Sequence, residues 1–173
     1  MWDDAPSRPR VVVASSLGAI ATPGLARGLR DSAAEPAFDA AVLIGGGGDL
    51  LTVARRSGIF RGPRAVKAKS TSWESWDHAS AMDEIVRAYR EASTLDPLAA
   101  ASELRATPTL VVQATLDDIV PTSTGEALWR ALETPSRLNI AAGHILMFTL
   151  LPGDRFARIV EWIDEQAPRE ADD

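Results

Sequence analysis

The sequence predicts an α/β fold, a mostly parallel sheet held between two helical layers, on three observations. Three apolar runs, 11–14, 40–44 and 109–114, lack polar alternation, as strands covered on both faces do, and a more polar run at 136–141 reads as a fourth strand. These runs alternate with stretches whose apolar residues recur at helical spacing, the rhythm of βαβ units. Three of the four runs are followed within a few residues by a side chain able to do chemistry: Ser16, Asp117 and His144.

Taken in order, Arg10-Val11-Val12-Val13-Ala14 is the first strand, and Ser16 then falls in a sharp strand-to-helix turn between the small residues Ala14 and Gly18. The next stretch, with Leu17, Ile20, Ala21, Leu25 and Leu29, is helix-like, and Pro23-Gly24 is expected to kink or split it. Ala40 to Ile44 is the second strand and ends in Gly45-Gly46-Gly47-Gly48-Asp49. That run lacks the Lys-Ser/Thr of a phosphate loop and the spacing of a dinucleotide fingerprint, so it reads as a tight turn packed beneath the Ser16 elbow.

A short helix is expected near Leu50 to Arg56 and a longer one from Asp77 to Ala92, where Met82, Ile85, Val86 and Tyr89 fall on one face. His78 lies in that second helix and reads as a solvated residue. Trp73 and Trp76 precede it and are candidates to line a substrate pocket, although a tryptophan pair near a helix start more often packs one layer onto another. Pro108 introduces the third strand, and Asp117-Asp118-Ile119-Val120-Pro121 follows it. An amphipathic helix with Ala127, Leu128, Ala131 and Leu132 leads to the fourth strand, Ser136 to Ala141, and then to Ala142-Gly143-His144 on a loop. A closing helix carries Phe156, Ile159, Val160 and Ile163, and the acidic tail beyond Gln166 reads as a frayed end.

Singly, these motifs are weak, because a Ser beside a Gly is usually a turn or cap and an isolated His is usually packed or exposed. Their joint order, Ser, acid, His, each after a strand, resembles the α/β-hydrolase family, whose nucleophile sits in a G-x-S-x-G elbow. Ala14 stands where that motif has its first Gly, and Asp117 to Pro121 is similar to the family's D-x-x-V-P stretch. The resemblance implies Ser16 as nucleophile, His144 as general base, Asp117 as the acid that orients it, and the Leu17 backbone N–H as an oxyanion donor. Asp118, adjacent, remains the alternative acid.

The same resemblance implies one domain over 1–173 with a helical cap inserted at about 50–95. It covers only the carboxyl half of the family's fold, so the expected sheet lacks the N-terminal strands and the loop that supplies a second oxyanion donor. The expected function is a serine hydrolase acting on an ester or related carboxylic acid derivative. The alternative is a truncated or degenerate hydrolase-like fragment serving as an interaction module or without function.

Composition limits the remaining choices. The chain has 173 residues, 46% of them hydrophobic, with no cysteine and two histidines far apart in sequence. Disulfides, thiol catalysis and Cys-ligated zinc are excluded, and no cofactor or metal is implied. No apolar run approaches the roughly 18 residues of a membrane span, so no membrane partner is expected. Six basic residues and no acids lie between Arg55 and Lys69, against a net charge of −6. Without interleaved aromatics in a nucleic-acid module that segment reads as a solvated face, and no nucleic-acid partner is expected. A small-molecule substrate is expected, together with a homodimer formed through the exposed sheet edge. Residues 1–6 lack the features of a signal peptide, so the expected location is the cytoplasm, with an upstream signal left open.

Overall fold

The computed structural model of the chain describes residues 9–30, 37–57, 87–89 and 91–168. Four strands, β1 (Val11–Ser15), β2 (Ala40–Ile44), β3 (Thr109–Ala114) and β4 (Ser136–Ile140), pair in parallel in their chain order. The order follows from the connections, since each strand returns to its neighbour through helical segments. The helices are α1 (Leu17–Arg30), α2 (Leu50–Arg56), α3 (Pro97–Ala100), α4 (Thr122–Ala131), α5 (His144–Leu150) and α6 (Asp154–Gln166). Among the described residues no helix is long and apolar enough to cross a membrane.

Strand alternation sorts the core into two layers. On one face Leu43 and Val111 pack with Ala19 and Ala26 of α1, Leu104 of the turn after α3, and Leu128 and Leu132 at the end of α4. On the other, Val42, Ile44, Leu110, Val112 and Ile140 meet Met147 of α5 and Ile159 of α6. The result is the expected three-layer α/β sandwich. β2 and β3 are buried along their whole length; β2 is apolar throughout, and in β3 the buried polar residues Thr109 and Gln113 are satisfied by hydrogen bonds to Thr107, Thr122 and Arg137.

Four details differ from the sequence reading, each for a packing reason. β1 is not covered on both faces. Ala14 packs with the α1 layer, but Val13, in register with Val42 on the other face, is 53% exposed. Pro23 does not split α1, which runs unbroken for 14 residues with Pro23 and Gly24 both buried. The Pro23 ring removes one intrahelical bond, and burial of that turn against the segment before α3 holds the helix together. On α6 only Ile159 is fully buried, supported by the partly buried Trp162 and Ile163, while Phe156 and Val160 face outward. His144 opens a helix, α5, rather than standing on a loop.

α1 is tied to the segment around α3 by one arginine. The Arg27 guanidinium donates to the carbonyls of Thr94 and Ala99 and pairs with Glu103, which Arg30 also meets at 2.8 Å. Asp96, buried, accepts from the backbone N–H of Leu50 at 3.2 Å and of Leu98 at 2.9 Å, which fixes the starts of α2 and α3 together. The helix expected near Leu50 to Arg56 is α2. Of the helix expected over 77–92, residues 87–89 and 91–92 are helical, and the rest, with most of the expected cap, lies outside the described residues.

Candidate active site

The first site residue stands where β1 gives way to α1. Ser16 has φ 49°, the left-handed region that a residue with a Cβ rarely occupies, and its N–H donates to the Ile44 carbonyl at 2.8 Å. Its own carbonyl accepts from Ile20, so the helix begins immediately behind it. The N–H groups of the first turn, Leu17 among them, have no intrahelical acceptor and carry the positive end of the helix dipole. Strain at the elbow and the open amides after it come from the same turn.

Asp117 is fixed by its own loop. Its Oδ1 accepts from the N–H of Ile119 at 3.0 Å and of Val120 at 2.8 Å, an Asx turn that leaves Oδ2 free to face another group. That group is His144 Nδ1, at 2.7 Å. The neighbouring Asp118 is exposed and takes no part in this pairing. His144 is carried as the first residue of α5, after Gly143, with its ring edge-on to Phe148 at 5.3 Å between centroids. Its other nitrogen, Nε2, lies 2.9 Å from Ser16 Oγ across a sequence separation of 128 residues. His144 and Asp117 are both buried.

A neutral imidazole satisfies every contact when its proton is on Nδ1. That nitrogen then donates to Asp117, and Nε2 accepts from the Ser16 hydroxyl. The arrangement can remove the hydroxyl proton while holding the cation formed beside a carboxylate.

The four glycines after β2 form a closely packed turn, and the first of them makes room for the imidazole. Gly45 has φ 64°, and a Cβ there would lie 2.8 Å from Met147 Cε and 3.2 Å from His144 Cε1. Gly46, Gly47 and Gly48 are approached as closely by Ala19, Thr124 and Leu98. The run is the packed turn that the sequence suggested.

Trp73, Trp76 and His78 lie outside the described residues, as does most of the basic segment between Arg55 and Lys69. Sequence reasoning missed the α5 contribution, the Phe148 edge and Met147 contact around His144. The signal was present in Ile145-Leu146-Met147-Phe148, but a run apolar on every side carries no helical period to read.

The fold is that of the α/β-hydrolases, whose esterases and peptidases are its structural neighbours. It is similar to an acylaminoacyl peptidase from Pyrococcus horikoshii, with a TM-score of 0.60 at 16% identity over 97% of this chain and 26% of that one. An esterase from Pyrococcus furiosus matches with a TM-score of 0.59 at 15% identity, over 95% of this chain and 57% of the other. A puromycin-hydrolysing peptidase from Mycobacterium tuberculosis matches with a TM-score of 0.58 at 19% identity, over 92% and 22%. The chain thus spans between about a fifth and three fifths of the length of these neighbours. No protein-family model matches the sequence, and no curated protein matches it.

Proposed function

We propose that the protein is a serine hydrolase that cleaves an ester or related carboxylic acid derivative through an acyl-enzyme. The observation carrying this reading is the continuous relay Ser16–His144–Asp117, with contacts of 2.9 and 2.7 Å between residues from three separate parts of the chain. Ser16 Oγ attacks the substrate carbonyl as its proton passes to His144 Nε2, and the carbonyl oxygen becomes the oxyanion, held by the Leu17 N–H. Asp117 stabilises the imidazolium. His144 then gives the proton to the departing alcohol, and the acyl group remains on Ser16. Water repeats the sequence, losing its proton to His144, and releases the carboxylic acid with Ser16 restored.

A noncatalytic, hydrolase-like interaction module is the second reading, and the uncovered outer face of β1 at Val13 favours it. Labelling with a fluorophosphonate, read by peptide mass spectrometry, separates the two. Modification at Ser16 that is lost in Ser16→Ala and falls at least about 10³-fold in rate in His144→Ala is expected. A folded, soluble protein that takes no label would favour the module.

A further inference from the structure

The residue after Ser16 opens a path away from the relay. Leu17 is 69% exposed, and the apolar stripe continues along α1 through Ala21, Leu25, Gly28 and Leu29 at helical spacing. Opposite this stripe stand Leu50 at the start of α2 and Leu95 and Pro97 before α3. Between them runs a groove of about 490 Å³, within the roughly 300 to 1,000 Å³ of small-molecule sites. The ten described residues that line it are all aliphatic, glycine or proline. Small residues make its floor, and at Gly24 the Leu95 carbonyl would lie 2.9 Å from an added Cβ, so wall and floor meet there.

A second apolar feature lies beside the site residues along the chain. Leu116, 70% exposed, precedes Asp117, and Ile145 and Leu146, 66% and 54% exposed, follow His144. Each member of the relay is therefore flanked in sequence by a large exposed aliphatic side chain. We infer that the site takes esters of medium- to long-chain fatty acids, with the acyl chain lying along the α1 groove from Leu17 toward Gly28. This assignment rests on the serine hydrolase reading.

The occupant is argued from three properties of the groove. It reaches Leu17, next in the chain to Ser16; none of its described lining residues carries a charged or hydrogen-bonding side chain; and it follows α1 from Leu17 to Gly28. From Leu17 to Gly28 is eleven helical residues, about 16 Å, room for an extended chain of roughly ten carbons. Each methylene moved from water into such a groove is expected to raise kcat/KM about two- to fourfold.

The test uses two groove-filling variants at different depths. Ala21 lies about 6 Å along the helix from Leu17 and Gly28 about 16 Å. Gly28 has open space where its Cβ would be, so Gly28→Phe can direct a ring into the far end, and it also replaces a poor helix former. Ala21→Trp fills the near end. With p-nitrophenyl esters from acetate to dodecanoate, each rate divided by the same protein's acetate rate, the parent series should rise to about ten carbons. It should break beyond about eight carbons in Gly28→Phe and beyond about four in Ala21→Trp. Binding of a dansyl-labelled undecanoic acid to the Ser16→Ala chain, which needs no turnover, should weaken at least tenfold on adding either substitution.

Labelling at Ser16 with a flat chain-length series, and fatty-acid binding absent or indifferent to both substitutions, would overturn the groove and leave the hydrolase reading intact. No label and no hydrolysis, with fatty-acid binding lost in both variants, would overturn the hydrolase reading and leave the groove as a fatty-acid site.

Discussion

Asp117 and Asp118 are adjacent and chemically identical, yet only one is held. Two backbone N–H groups fix Asp117 Oδ1 and direct Oδ2 at His144, whereas Asp118 is exposed. Asp117→Asn should lower kcat by about 10⁴-fold with the fold retained, because the amide favours the wrong imidazole tautomer, while Asp118→Asn should change it less than about twofold; ester turnover measures both. Gly45 offers a second test at this scale. A Cβ there meets both Met147 and His144 from a left-handed backbone, so Gly45→Ala should cost about 1 to 3 kcal/mol in urea unfolding and lower turnover by displacing the imidazole. The three residues of the relay were legible in the sequence because each follows a strand and the order is informative. Their geometry was not: the left-handed φ of Ser16 and the Asx turn at Asp117 are properties of backbone closure that residue types permit without specifying.

Among the elements, the strands were read well because a strand buried on both faces is written mainly in apolar residues, as Ala40–Ile44 is throughout and Thr109–Ala114 is apart from Thr109 and Gln113. The helices were read in proportion to their periodicity. α4 shows its inward face in Leu128 and Leu132, while α5 is apolar from Ile145 to Phe148 and hides its period, and Pro23 in α1 is overridden by burial. The junction of α1 with the segment around α3 depends on charge. Arg30, foremost, and Arg27 hold the Glu103 carboxyl below its ordinary 4.5 by hydrogen bonding to the charged form, against partial burial, which acts the other way. A depressed folded pKa means that this contribution is fully present above 4.5 and is lost as the pH falls through the lowered folded value. Glu103→Gln should therefore melt at a lower temperature than the parent at pH 7, with the gap closing as the pH is taken below 4.5, read by circular dichroism. A gap independent of pH would assign Glu103 a role in packing alone.

At the scale of the molecule, the edge of the sheet at β1 carries an exposed apolar side chain. β1 ends the strand order among the described residues, and Val13 on its outer face is 53% exposed, which its apolar sequence could not reveal because a covered strand and an uncovered one are written alike. A second copy is the partner proposed for this edge, since unpaired strand edges template pairing. Sedimentation velocity should show association growing with protein concentration, and Val13→Lys, which places a charge on the edge, should return the monomer. Concentration-independent monomers in the parent would remove the proposal. The sheet order has a further consequence. Since the strands lie side by side in the order in which they are made, a nascent chain can assemble the sheet from one side to the other as it leaves the ribosome, with no strand waiting to be threaded between earlier ones. Ser16 emerges with the first strand and His144 only after the fourth, 128 residues later. A chain made only as far as β4 therefore lacks the imidazole that faces this hydroxyl, and the contact between Ser16 and His144 can form only once the start of α5 has emerged.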